Sequence, residues 1–312
     1  MSHTPETLVI KIGGGAGIEL APVLAELASL VRSGLRVVLV HGGSAELDAL
    51  SRQLGHPPRT LTSPSGHASR RTDRRTLELF EMAYCGKVNK QVVEQLQASG
   101  VDAIGLSGID AAVWRAERKS AIRAVEDGRT VMIRDDLSGR VTSVNDALLR
   151  SLLDQGYTPV LTPPALAEGG VAVNVDADRA AAATAVSLGA DELLLLSNVR
   201  GVLRDPADPA SLIRSVAEEG PEAVRQAAHG RMKNKVLAAE EAIAGGVRRV
   251  VIGCANGDAP IAAARAGAGT VWIAGVPRPS GAAPSSTPSS PLEASHESRC
   301  DPHISRHVGA VA

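Results

Sequence analysis

Short apolar runs that stop at glycines constrain this chain most. Residues 8–12 (LVIKI) end at Gly13-Gly14-Gly15, and residues 36–40 (RVVLV) lead into Gly42-Gly43. Such runs are too short for ordinary helices, and they lack the polar alternation of a half-exposed strand. They read as strands buried on both faces. Similar runs occupy 102–106, 158–161, 192–196, 249–252 and 270–273, with helical spacing between them, as at 23–31. Buried strands alternating with helices predict an α/β fold with a mostly parallel central sheet covered by helices. The glycines then fall at strand C-terminal ends, the edge where open α/β sheets bind ligands.

Composition narrows the function. The chain has 312 residues, enough for one large domain or two modest lobes with a full core. Only 2% of residues are aromatic, so Leu, Val, Ile and Ala must build the core, and a base-stacking platform is not expected. The net charge of −1 gives no global basic field for nucleic acid or membrane. No apolar run approaches the roughly 20 residues of a membrane span. Cys85, Cys254 and Cys300 form no CxxC pair, which argues against a disulfide framework or zinc site and fits a reducing cytoplasm. Met1 to Thr7 is polar and shows no signal-peptide pattern.

Two lobes are expected, one to about residue 173 and one over about 174–275. Residues 138–161 bridge them as a short strand, a helix and a buried strand, so the lobes should share one continuous sheet. Residues 276–312 hold six of the 18 prolines and eight serines, and read as a disordered tail.

Four stretches carry candidate chemistry. Lys11 lies in an apolar strand just before the glycine triplet; it is either a phosphate ligand or a lysine snorkelling at a strand end. His41-Gly42-Gly43-Ser44 opens a helix, where backbone amides favour anions and where Ser44 can cap. In Asn174-Val175-Asp176-Ala177-Asp178, Asp178 is either a helix N-terminal carboxylate or the acid that holds catalytic lysines. Residues 230–235 (GRMKNK) put three cations at a helix start, opposing its dipole; either an anionic ligand or simple solvation accounts for them. The chain has no Walker A loop, and Ile18 breaks a dinucleotide fingerprint after Gly13-x-Gly15.

In order and spacing, KIGGG at 11–15, HGGS at 41–44, NVDAD at 174–178, LLLLSNVRGVL at 193–203 and GRMKNK at 230–235 resemble the amino-acid kinase family, in its acetylglutamate kinase branch. The likeness covers residues 8–274. A narrower one lies in 55–90 (GHPPRTLTSPSGHASRRTDRRTLELFEMAYCGKVNK), with LSGID at 106–110 and LTPPAL at 161–166. This text resembles the members whose acceptor is 2-aminoadipate linked through its α-amino group to a small acidic amino-group carrier protein of the LysW type. Residues 56–90 carry seven cations against three anions, a local excess that would steer an acidic partner. Leu77, Phe80, Tyr84, Val88, Val92 and Leu96 form the apolar stripe of a helix in the same stretch.

The resemblance implies an open αβα sandwich, with an N-terminal acceptor lobe that also dimerises and a C-terminal nucleotide lobe. It implies ATP-dependent phosphorylation of a carboxylate, with Mg2+ held mainly by the phosphates and no protein metal site. Lys11 and Lys235 match the lysines that neutralise the γ-phosphoryl group, and Asp178 the carboxylate that orients them. Gly42, Gly43, Arg70 and Asn174 match acceptor-binding positions, with Arg71 a neighbour of Arg70. Gly14, Ser197, Asn198, Gly201 and Lys233 match nucleotide-binding ones. The chain departs at Asn198, where many acetylglutamate kinases carry Asp, and at Arg231, where they carry Gly. Acetylglutamate kinase and carrier-bound glutamate kinase are the nearest alternatives, because one methylene separates the acceptors. A non-catalytic amino-acid-binding regulatory module is the remote one.

Overall fold

A computed structural model describes residues 6–64, 68–126 and 129–275. The tail expected over 276–312 lies outside the described residues. The strands are β1 (Thr7–Ile12), β2 (Arg36–His41), β3 (Thr60–Thr62), β4 (Ala68–Arg70), β5 (Ala103–Gly108), β6 (Trp114–Arg118), β7 (Ile122–Glu126), β8 (Arg129–Ile133), β9 (Gly139–Val144), β10 (Thr158–Ala167), β11 (Ala172–Val173), β12 (Glu192–Ser197), β13 (Arg249–Cys254) and β14 (Thr270–Ile273). The helices are α1 (Leu20–Arg32), α2 (Ser44–Gln53), α3 (Arg74–Glu81), α4 (Asn89–Ala98), α5 (Asp146–Asp154), α6 (Ala177–Leu188), α7 (Val216–Glu219), α8 (Pro221–Ala227), α9 (Met232–Ala244) and α10 (Pro260–Arg265).

One sheet runs in the order β14-β13-β12-β1-β2-β10-β6-β9, with β5 and β11 also paired to β10. The central strands β13, β12, β1, β2 and β10 are parallel, as their unbroken apolar runs require. Antiparallel pairing appears where β14 joins β13, β9 joins β6 and β11 joins β10. Strands from before and after residue 173 thus share one sheet. Two hairpins, β3–β4 and β7–β8, stand outside it. The sequence reading passed over both, because neither carries a long apolar run.

The period-2 alternation of each strand divides the core in two. Leu8, Ile10, Ile12, Leu39, Leu194 and Leu196 pack on one face, with α1 and α4. Val9, Val38, Val40, Leu193, Leu195 and Ile252 pack on the other, with α5, α6 and α9. Lys11 has the parity of Val9. Its side chain therefore emerges on the face that α6 and α9 cover, at the C-terminal end of β1.

The apolar stripe from Leu77 to Leu96 forms a helix that changes pitch. Between α3 and α4 lies a π-helical segment, Met82–Val88. The stripe advances by four residues at nearly every step, and on an ideal α-helix each such step drifts by ~40°. The wider π turn takes up that drift. Leu77, Phe80, Tyr84, Val92 and Leu96 are all buried, and Tyr84 stacks on Phe80 with ring centroids 3.7 Å apart.

Candidate active site

Three strand and helix ends converge on one buried charge cluster. Lys11 at the end of β1, Asp178 in the first turn of α6 and Lys235 in the first turn of α9 are 6%, 7% and 8% exposed. Lys11 Nζ lies 2.7 Å from Asp178 Oδ1. Lys235 Nζ donates to both carboxylate oxygens, at 3.0 and 2.9 Å. Burial by itself would raise the Asp178 carboxyl, but the two ammonium groups outweigh it and hold it well below the ordinary range. Burial lowers Lys235, against the pull of Asp178. Two cations share one anion, so the cluster keeps a net positive charge away from bulk water. That excess charge suits an anionic ligand.

Asp176 makes this placement reproducible, and the sequence reading missed its role. It caps α6: its Oδ1 accepts from the amides of Asp178 and Arg179, both at 3.0 Å. Its other oxygen accepts from Asn234 Nδ2 at 2.7 Å, tying α6 to α9 beside Lys235. An acid immediately before an Ala-rich helix is an N-cap signal, and it could have been found.

The two glycine turns lie side by side, because β1 and β2 are parallel neighbours. A Cβ on Gly14 would fall 2.0 Å from Gly43 N and 2.3 Å from the Gly42 carbonyl carbon. Only backbone without a side chain fits there. Ser44 opens α2 without capping it. Its hydroxyl instead donates to Gly14 O at 2.9 Å, and the Ala45 amide donates to the same oxygen at 2.7 Å. Gly43 rests on the Tyr84 ring. Burial pushes the Tyr84 phenol up to about 12, against the pull of Arg70 and the Gly43 amide.

Arg70 and Asn174 are each held by side-chain contacts to other parts of the chain. Arg70 Nη2 donates to Asp48 at 2.5 Å, while its Nη1 is buried without a partner. Arg71 pairs with Asp135 at 2.7 Å. Asn174 Nδ2 donates to Thr72 Oγ1 at 3.2 Å, and the Thr72 amide donates to the buried Asp136 at 2.8 Å. These contacts bring residues 70–72, 135–137 and 174 together.

The nucleotide candidates scatter more widely. Ser197 ends β12 beside Gly13, and its hydroxyl is buried without a partner. Asn198 Nδ2 donates to Ala16 O at 3.4 Å, within the turn after β1. Gly201 is packed under Thr270 Oγ1 and Leu212 Cδ1, each 2.7 Å from where its Cβ would stand. Lys233 is exposed at the start of α9. A cleft of about 430 Å3 opens past the ends of β12 and β13, lined by Arg200, Arg214, Cys254, Asn256 and Asp258 among others. Lys11, Asp178 and Lys235 are not in its lining.

The basic excess of 56–90 shrinks on folding. Arg70 meets Asp48, Arg71 meets Asp135, Arg75 meets Glu78, and Lys87 meets Glu46 at 2.6 Å. Glu46, Asp48 and Asp135 come from outside the segment, which is why a local charge count overstates the patch. Arg59 and Arg74 remain exposed.

The family model described as the amino acid kinase family matches residues 6–254. A LysW-aminoadipate kinase of Deinococcus radiodurans is 53% identical over 264 residues, covering 85% of this chain and 90% of that protein. One of Thermus thermophilus is 50% identical over 267 residues, covering 85% and 99%. The structure of carbamate kinase from Giardia lamblia bound to AMP-PNP superposes with a TM-score of 0.60 at 17% identity, over 86% of this chain and 98% of that one. That last likeness speaks to the fold alone. The chain belongs to the amino acid kinase family.

Proposed function

We propose that the chain transfers the γ-phosphoryl group of ATP to the side-chain carboxylate of 2-aminoadipate carried on a LysW-type protein, in lysine biosynthesis. The observation that carries the chemistry is the buried Lys11–Asp178–Lys235 cluster beside two touching glycine turns. The acceptor class is supported by half-identical relatives that carry the name LysW-aminoadipate kinase. An acceptor carboxylate oxygen attacks the γ-phosphorus, the bond to the β,γ-bridging oxygen breaks, and ADP leaves with that electron pair. Charge spreads over the equatorial oxygens of the transferring group, and Lys11 and Lys235 stand ready to neutralise it. Asp178 holds both ammonium groups in place and leaves the cluster one positive charge in excess.

In this reading residues to about 173 form the acceptor lobe and residues 174–275 the nucleotide lobe. Gly42, Gly43, Arg70 and Asn174 hold the acceptor. Gly14, Ser197, Asn198, Gly201 and Lys233 serve the nucleotide. Arg70 Nη1, buried without a partner while Nη2 holds Asp48, leaves a charged donor for the acceptor carboxylate, so that one guanidinium would contact both. Mg2+ would be held mainly by the ATP phosphates, since both oxygens of Asp178 are already engaged by lysines. The reading includes a homodimer formed through the N-terminal lobe, which sedimentation would test.

The decisive experiment is ATP turnover with three acceptors: carrier-bound aminoadipate, carrier-bound glutamate and free N-acetylglutamate, with hydroxylamine trapping the acyl phosphate. Fast trapping with carrier-bound aminoadipate alone is expected. Equal or better turnover of N-acetylglutamate would overturn the carrier-bound acceptor.

A further inference from the structure

His41, the last residue of β2, is 1% exposed, and the cluster chemistry above does not use it. Its two ring nitrogens have unlike partners. Nδ1 lies 2.9 Å from Gly42 O, and Nε2 lies 3.1 Å from Asn89 Nδ2. A carbonyl oxygen can only accept, so Nδ1 carries the proton. The Asn89 amide is oriented by its second bond, Nδ2 to Val160 O at 3.0 Å, again a carbonyl. Asn89 therefore donates to Nε2, which carries no proton. The partners admit one state, the neutral Nδ1–H tautomer. Burial, with Lys11 and Lys90 as the charged groups that face the ring, agrees by lowering His41 to about 4.

The bond to Gly42 O has a consequence one residue on. That oxygen and the Gly43 N–H belong to one rigid peptide plane, so fixing the oxygen on one side aims the N–H to the other. The Gly43 amide stands at the mouth of α2, beside Gly14 and the Tyr84 phenol. The other end of the relay is fixed as well. A Cβ on Gly105 would fall 2.0 Å from Asn89 Oδ1, so glycine in β5 makes the room that Asn89 occupies. The π-helical segment ends immediately before Asn89. Thr162 Oγ1 holds the His41 carbonyl at 3.3 Å.

We propose that His41, locked by Asn89 as the neutral Nδ1–H tautomer, is the positioning residue that sets the Gly42–Gly43 peptide for anion binding. It acts through Gly42 and transfers no proton. This inference rests on the kinase reading for the identity of the anion, while the tautomer itself does not.

The test uses the full-length protein. Nitrogen-15 NMR of the imidazole at pH 7 should show a protonated Nδ1 and a bare Nε2. An Nε2–H tautomer or an imidazolium would overturn the proposal. Two variants separate positioning from packing. In His41→Asn the amide nitrogen replaces Nδ1 as the donor, and in His41→Gln no donor stands at that place. The Gly43 amide resonance should move in His41→Gln and stay near its place in His41→Asn. With carrier-bound aminoadipate, kcat should fall about a hundredfold in His41→Gln and only a few-fold in His41→Asn, the KM for ATP changing less than kcat in both. Equal losses in the two variants, or wild-type kcat in His41→Gln, would refute it. A wild-type enzyme inactive on all three acceptors would sink the kinase reading, and the imidazole and Gly43 resonances would still decide this one.

Discussion

Lys11, Asp178 and Lys235 are unequal members of one cluster, and their variants should behave unequally. Asp178→Asn leaves two ammonium groups buried without an anion, and should cost about 3–5 kcal/mol in urea unfolding. Lys11→Met leaves a balanced Lys235–Asp178 pair. It should cost far less stability, yet abolish most turnover while nucleotide binding persists. If Lys11→Met turns over like wild type, its assigned role is wrong. The pH dependence follows from the directions of the shifts. The Asp178 carboxyl is depressed in the folded state, so its stabilisation is complete above the unfolded value of about 3.9 and is lost as pH falls below it. Asp178→Asn should flatten that acid limb. Lys235 is lowered by burial, so kcat should fall on the alkaline side before an ordinary lysine, at about 10.4, would lose its proton. Lys235→Arg should move that limb upward; an unchanged limb would assign it to another group.

At the scale of elements, the decisive contact is between the turns that follow β1 and β2. Gly14 is replaceable by nothing larger, because its Cβ would overlap the backbone of Gly42 and Gly43. Gly14→Ala must push the turns apart, and should lower kcat/KM by about a hundredfold. Gly15, one residue on, has open space where its Cβ would stand, and Gly15→Ala should be nearly neutral. Similar losses in the two variants would show that chain flexibility, not the close approach, is what matters. Ser44 illustrates how tertiary structure redirects a local signal. It has the residue type and place of an N-cap, yet its hydroxyl faces Gly14 O, because the neighbouring turn offers an acceptor close by.

For the whole molecule, the fold decides how much charge a partner meets. Four of the seven cations in 56–90 are paired with carboxylates, three of these from elsewhere in the chain. Docking of an acidic carrier should therefore depend on the exposed Arg59 and Arg74 more than on Arg70. Reversing both, as Arg59→Glu with Arg74→Glu, should raise the KM for carrier-bound acceptor several-fold with kcat kept. Arg70→Lys should instead lower kcat, because a lysine cannot reproduce the two-pronged contact. If the double reversal leaves KM unchanged at low salt, the carrier docks elsewhere.

The resemblance to the amino-acid kinase family, rather than local charge, grouped Lys11, Asp178 and Lys235. Sequence alone determined the parallel sheet, which follows from unbroken apolar runs that stop at glycines, signals written within a few residues. It did not disclose the β3–β4 and β7–β8 hairpins, the bridging role of Asp176, or the relay from Gly105 through Asn89 to His41. The hairpins are local pairings that carry no long apolar run, whereas the other two depend on groups apart in the chain. Asn89 reaches His41 across 48 residues, and Asn234 reaches Asp176 across 58. The charge of the 56–90 segment was misjudged for the same reason. Cations can be counted along a chain, but the carboxylates that neutralise them are chosen by the fold, because electrostatic and hydrogen-bond partners are neighbours in space rather than in sequence.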